Sequence, residues 1–449
     1  MKKTNYVCAF VALWVLSPEK HLAQGFSLAL ETSLQWKLDS VKQANDIQGI
    51  AAAVYYPDQG SWKGGTGFSQ GAVPIVPDMK FGIASNSKLF TAVALLKLQE
   101  IGAISLDDSV GSWLPPIPHV ASEITLRQLL NNTSGVFDVT NIAGYADTIL
   151  SNPNRVIKTE EMLQWLQAPL FAPGMGWSYS NTNYLLAGLI FEKAADQAIE
   201  KFLRDSLLEV HGLNQTYFPI FESLPSDVAR PWSNNQPIGN IPRTSLLSAA
   251  WTAGAMYSNA EDMNRWYRDL FDGKILLPTS MSEMLAFTGS ARYGLGIQKV
   301  EIGGRTCYAH GGSIRGYRSF MLYDEATGAV ISVLINENPA SPNLVAEALL
   351  LTLTEAFSGV SVHDKMAGGG VDIYPNPTTG RIVLKPSGGE GSDVFSLVRS
   401  VSIFDQQGRL VIQQDNPDLE LEVGGLARGV YWVKIQFDHG PLSRKIFVR

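Results

Sequence analysis

The sequence predicts an α+β fold: one antiparallel sheet flanked by helices, with a helical lobe beside it, followed by a small all-β sandwich. Three observations carry this expectation. Strand-like segments stand at both ends of a stretch whose middle is helical, so its two ends are expected to complete a single sheet. An apolar helix runs through Leu89 to Leu98. Beyond residue 370 the pattern changes to short alternating strands separated by turn residues.

At 449 residues the chain exceeds one typical domain, and its 45% hydrophobic content suffices for a sizeable core. The net charge of −7, with no basic cluster, argues against nucleic acid as a partner. The composition divides the chain into a signal segment at 1–25, a main domain at 26–360, a linker at 361–372 and a β-domain at 373–449.

The first segment pairs Lys2-Lys3 with an apolar run from Tyr6 to Leu16 and a cleavage point near Ala23-Gln24, the pattern of a secretory signal. That run is short for a bilayer, and no later segment is long and apolar enough to span one. Cys8 would leave with the signal, so Cys307 would be the sole cysteine and is read as a buried strand residue. Leu28 to Ala44 has helical periodicity, and Ile50 to Tyr56 reads as a strand turning at Pro57-Asp58-Gln59-Gly60. The Leu89 helix follows and stops at Gly102, a C-terminal cap. Helices and Pro/Gly loops dominate from about Leu106 to Asp205. Strands return near Tyr293, Phe320-Met321-Leu322-Tyr323 and Val330 to Ile335 pair across the turn Asp324 to Gly328, and a helix covers Asn343 to Phe357.

Ser85 and Lys88 open the apolar helix three residues apart, a spacing that puts a hydroxyl and an amine on one face. A serine hydroxyl becomes a nucleophile when a neighbouring base takes its proton, and a lysine becomes that base when desolvation lowers its pKa. Ser87 would point away. Tyr179 and Asn181 lie on the loop entering a second apolar helix, Leu185 to Ala194, and His310-Gly311-Gly312-Ser313 leads into the hairpin. The six histidines show no paired metal-ligand spacing, so a metallo-hydrolase is not expected, and a serine nucleophile served by a lysine base calls for no organic cofactor.

With Ser85/Lys88, Tyr179/Asn181 and His310/Gly312 in this order, the chain resembles the penicillin-recognising serine hydrolases, in particular class C β-lactamases and D-alanyl-D-alanine carboxypeptidases with their related esterases. The segments 126–135, 253–258 and 293–296 add to the likeness, which covers about residues 30 to 357. The resemblance implies a β-lactamase/transpeptidase-like fold with the three motifs meeting in a cleft between sheet and helical lobe. It also implies an acyl-enzyme on Ser85, with Lys88 and Tyr179 handling the proton. Asn181, His310, Gly312 and Ser313 would then line the substrate site, Asn181 would help orient Lys88, and the backbone N–H groups of Ser85 and Ser313 would hold the oxyanion. His310 replaces the lysine of many relatives and is expected to titrate near neutral pH.

Two departures bear on the substrate. Relatives that process D-alanyl peptides or β-lactams usually carry threonine where this chain has Gly311, with Ser313, Arg315, Arg318 and Lys299 as nearby polar or basic residues. Asn132 stands where a histidine usually precedes Thr133-Ser134-Gly135. The expected substrate is a D-amino-acid peptide, amide or ester. A carboxylic-ester hydrolase on the same scaffold is the alternative, and a non-catalytic peptidoglycan- or ligand-binding module is a third reading.

The tail, with Tyr374-Pro375-Asn376-Pro377-Thr378-Thr379-Gly380, Ile403-Phe404-Asp405, Gly408-Arg409-Leu410-Val411, Gly429-Val430-Tyr431 and Lys445, is similar to the C-terminal sorting domain of the type IX secretion system. This implies that machinery as a partner, passage through the periplasm, and release or attachment at the cell surface.

Overall fold

The computed structural model describes residues 25–239, 244–357, 370–376, 378–387, 398–405, 409–415, 420–437 and 440–448. The signal segment through residue 24, with its cleavage point, and linker residues 361–369 lie outside the described residues. By its contacts the chain forms two units, Met1–Thr354 and Glu355–Arg449.

The first unit is built on a six-stranded antiparallel sheet. Helix α1 (Leu28–Ala44) leads to β1 (Gly49–Tyr56) and β2 (Gly60–Gly67), and then to α2 (Ser87–Glu100). Further along come α3 (Asn181–Ala195), α4 (Thr244–Gly254) and α5 (Ala260–Phe271), and the strands β3 (Gln298–Ile302), β4 (Arg305–Ile314), β5 (Tyr317–Asp324) and β6 (Val330–Ile335), closed by α6 (Pro342–Phe357). The sheet order is β2-β1-β6-β5-β4-β3. Ile50 pairs with Ile335 and Tyr55 with Val330, so the N-terminal hairpin and the C-terminal strands join at the middle of the sheet, as the sequence pattern predicts.

Helix α2 is the centre of the core. Eleven of its fourteen residues are buried, including Leu89, Phe90, Val93, Leu95 and Leu96, and each such side chain contributes about 1.5–3 kcal/mol on burial. Phe90 stacks on Trp266 of α5 at 4.1 Å between ring centroids. The helix ends as Gly102 predicts: Gly102 takes φ +73°, its N–H bonds Gln99 O, and Ala103 N–H bonds Leu98 O. Helix α5 lies on the sheet, where Asn264 Nδ2 donates to Ala53 O and Val330 O, joining β1 and β6 from one side.

The second unit is all-β. Strands β7 (Gly370–Tyr374), β8 (Arg381–Ser387) and β11 (Glu420–Glu422) form one sheet. Strands β9 (Val398–Phe404), β10 (Leu410–Asp415), β12 (Gly429–Phe437) and β13 (Gly440–Val448) form the other. Ile373, Ile382 and Leu384 from the first share one core with Val401, Ile403, Val433 and Ile446 from the second, the packing of a sandwich. One boundary differs from expectation. Gly370 to Tyr374 pairs with 383–387 as a strand, so residues 370–372, expected as the end of the linker, belong to the sheet.

Candidate active site

Ser85 lies on a single 3-10 turn, Ala84–Asn86, that runs directly into α2, rather than on the α-helix itself. The turn is held in an unusual backbone state: Ala84 has φ +49°, a left-handed conformation that costs a non-glycine residue about 1 kcal/mol or more. Bonds on both sides fix it. Ser87 Oγ donates to Ala84 O at 2.7 Å and accepts from Met256 N at 3.1 Å. Ser319 Oγ of β5 donates to Ile83 O at 2.7 Å and accepts from Asn86 Nδ2 at 2.9 Å. Ser87 therefore points away from Ser85, as its helical position predicts.

Lys88 is fully buried, and its Nζ lies 3.1 Å from Ser85 Oγ, 2.7 Å from Asn181 Oδ1 and 2.6 Å from Ala253 O. The rings of Tyr179 and Tyr184 stand 5.0 and 5.4 Å from the same nitrogen. Burial pulls the Lys88 ammonium down to about 7, with the Asp138 carboxylate opposing the shift. The unprotonated amine that can take the serine proton is therefore accessible far below the ordinary lysine range.

Three separate segments supply the partners of Lys88. Asn181 is the first residue of α3 rather than part of the preceding loop. Ala253 presents its carbonyl because the chain kinks at Trp251, with φ 30° and ψ −124°. The Trp251 indole donates to Glu200 Oε1, while Glu200 Oε2 is buried with no partner. Tyr179 remains in the loop, which Asn132 secures: its Oδ1 accepts from Ser180 N and Asn183 Nδ2, and its carbonyl from Ser178 N. Burial pushes the Tyr179 phenol well above its usual range, the Ser85 hydroxyl pulls it back, and Asp138 adds to the rise.

His310 sits within β4, with its ring 6.4 Å from that of Tyr179. Its Nδ1 lies 2.6 Å from Gly311 O and its Nε2 lies 2.9 Å from Tyr293 Oη. A carbonyl only accepts, so Nδ1 carries the proton and Nε2 accepts from the tyrosine. The expectation of titration near neutrality is corrected here: burial, joined by the Lys88 charge and opposed by the Gly311 carbonyl, drives His310 down to about 4. Gly312 backs onto the Ser85 turn, where a Cβ would lie 2.3 Å from Ile83 O. Ser313 is exposed at the rim of the strand. Cys307 is buried in β4 and, with its thiol pushed up to about 12 by burial, is no second nucleophile.

Asp138, Thr140, the Tyr293–His310 bond, the Ala253 carbonyl and the Glu200–Trp251 pair lie outside the sequence motifs. Of these, only Asp138, three residues after Thr133-Ser134-Gly135, carries a signal in the sequence. Among the described residues no His/Cys/Asp/Glu group could hold a metal ion, and no helix is long and apolar enough to cross a membrane.

The beta-lactamase family pattern matches residues 38–355. The chain belongs to the beta-lactamase family. Residues 372–449 match the secretion system C-terminal sorting domain, so the protein uses type IX secretion and is secreted or held at the cell surface. Its beta-lactamase domain is similar to a D-stereospecific amidohydrolase from Streptomyces sp., at 27% identity and TM-score 0.63 over 74% of this chain and 99% of that one. A D-amino acid amidase from Ochrobactrum anthropi SV3 aligns at 26% identity and TM-score 0.65 over 73% and 99%. A penicillin-binding protein of Bacillus subtilis (strain 168) is 33% identical over 149 residues, which is 32% of this chain and 31% of that protein. The chain thus spans about a third of the length of that relative. The structural likeness extends through the β-lactamase/transpeptidase-like fold, with its antiparallel sheet and helices.

Proposed function

We propose that the protein is an exported serine hydrolase that forms an acyl-enzyme on Ser85 and acts on D-amino-acid peptides or related amides and esters. The observation that carries this is the 3.1 Å approach of Lys88 Nζ to Ser85 Oγ, with the amine held near pKa 7. In the acylation step the Ser85 oxygen bonds to the substrate carbonyl carbon while its proton passes to Lys88, with Tyr179 beside them. The negative charge on the carbonyl oxygen falls to the backbone N–H groups of Ser85 and Ser313. Collapse of the tetrahedral species breaks the bond to the leaving amine or alcohol, which takes the proton. Water then repeats the cycle on the acyl-serine and releases the acid.

Two groups on the β4 wall that could hold a free carboxylate are missing, which supports amides and esters, while Arg318, paired across from Ser313, keeps a buried Nε without a partner among the described residues. His310 is neutral above about pH 4 with both ring nitrogens already engaged, and Gly311 offers no hydroxyl. Lys299 is turned to Glu325 at 3.3 Å. The D-stereospecific amidohydrolase and D-amino acid amidase among the structural neighbours support the same choice. The absence of a hydroxyl at Gly311 equally favours a carboxylic-ester hydrolase as the second reading.

Intact-protein mass spectrometry after exposure to a fluorophosphonate and, separately, a penicillin tests the proposal. An adduct that maps to Ser85 and vanishes in Ser85→Ala is the expected result. Absence of any adduct in the wild type, with ligand affinity retained in Ser85→Ala, would make the protein a binding module. Turnover of D-amino-acid amides, D-alanyl peptides and short acyl esters then separates the substrate readings.

A further inference from the structure

Behind Asn181 lies a row of polar groups that no motif contains. Asp138 caps the short 3-10 segment Val139–Asn141 and is only 6% exposed. Its Oδ1 accepts from the Thr140 N–H at 3.0 Å and the Thr140 hydroxyl at 2.9 Å. Its Oδ2 accepts from Asn181 Nδ2 at 3.0 Å, and that same nitrogen donates to Thr140 Oγ1 at 3.2 Å. All of these partners are neutral donors.

The two ends of an asparagine amide have nearly the same shape, and an Asn181 held only by packing could turn either one toward Lys88. An ionised carboxylate removes that freedom, because it accepts and never donates. With Asp138 taking the NH2 end, the oxygen end must face Lys88, where it lies 2.7 Å from Nζ. The amine is then drawn to a fixed point 3.1 Å from Ser85.

We infer that Asp138 is a positioning residue for acylation: by locking the Asn181 amide it sets where the Lys88 amine stands relative to the Ser85 hydroxyl. The inference rests on the acyl-enzyme reading above. It also carries an electrostatic consequence. Lys88 is faced by the phenols of Tyr179 and Tyr184, by His310, and across Asn181 by Asp138. Asp138 itself is faced by Asn181 and Thr140 and acts on Tyr145 and Tyr179, whose phenols burial keeps protonated. Between pH 5 and 9 these phenols and His310 are neutral, which leaves Asp138 as the anion that supports the ammonium form of Lys88.

The test is the rate of fluorophosphonate labelling of Ser85 from pH 5 to 10 in the full chain, in Asp138→Asn and in Thr140→Val, with thermal unfolding measured alongside. In Asp138→Asn the plateau rate is expected to fall by roughly tenfold to a hundredfold. Its midpoint should move to lower pH by about one unit, since the supporting charge is gone. Thr140→Val keeps the charge and loosens the clamp, so its plateau should fall several-fold with the midpoint unmoved. A purely structural role for Asp138 would lower labelling in proportion to lost folded protein and leave the midpoint alone. An unmoved midpoint in a folded Asp138→Asn overturns the inference; should that variant not fold, a Thr140→Val plateau equal to wild type does so. A wild type that is never labelled at Ser85 removes the acyl-enzyme reading instead.

Discussion

Ser319 occupies the space that a side chain at Gly312 would need: a Cβ there would stand 2.2 Å from Ser319 Oγ. The serine is committed, because its hydroxyl bonds Ile83 O and Asn86 Nδ2 on either side of Ser85. Gly312→Ala must therefore push β4 away from the nucleophile's turn. We expect a loss of about 1–3 kcal/mol in stability, the usual cost of overpacking, and a larger proportional loss of Ser85 labelling. Chemical denaturation and labelling on the same sample check this, and an alanine variant with wild-type values in both would refute it.

Gly311 is the opposite case. A Cβ there meets nothing closer than Phe320 Cδ2 at 3.6 Å, an ordinary contact. Gly311→Thr should fold normally and place a hydroxyl on the wall beside the neutral His310. Turnover of a D-alanyl-D-alanine peptide relative to the matching amide is expected to rise several-fold. An unchanged ratio would show that this position does not govern recognition of a terminal carboxylate.

Labelling of Ser85 should depend on pH through Lys88. The folded pKa lies below the ordinary 10.5, at about 7, so the unprotonated amine accumulates as pH rises through 7. The rate is expected to climb between pH 6 and 8 and then level off. No further limb from His310 should appear above pH 5, given its value of about 4. A flat profile from pH 6 to 9 would contradict the role given to Lys88.

Glu200 offers a stability test away from the chemistry. Burial raises its folded pKa above the usual 4.5, so the native state binds more protons than the unfolded chain at pH values above 4.5. Stability is then lost as pH rises from 4.5 through the folded value. Glu200→Gln keeps an oxygen for the Trp251 indole and removes the charge. Its melting temperature should exceed wild type by about 2–4 °C at pH 8, and the gain should shrink at pH 4. A gain of equal size at both pH values would argue that the charge is irrelevant.

The legible part of the fold was whatever short-range pattern encodes. Leu28–Ala44 is a helix at its predicted limits, Val330–Ile335 is a strand at its own, and Ser85/Lys88 share a face because three residues make most of a helical turn. The illegible part was long-range. Ala253 reaches Lys88 through a backbone carbonyl that has no side-chain signature, aimed by a kink at Trp251 that no propensity announces. The behaviour of His310 depends on how deeply it is buried and on Tyr293, seventeen residues away in sequence. Asp138 was visible as a letter, yet its meaning came only from what stands 3.0 Å from it.

The pairing of Ile50 with Ile335 has a kinetic corollary. Nearly 300 residues must be joined before the central strands can zip together, a high-contact-order closure that is slow to complete. A nascent chain that stops short of β5 lacks Ser319, whose hydroxyl holds the backbone on either side of Ser85. Because the sorting signal is translated later still, every molecule that carries its export address also carries the strands that arm it.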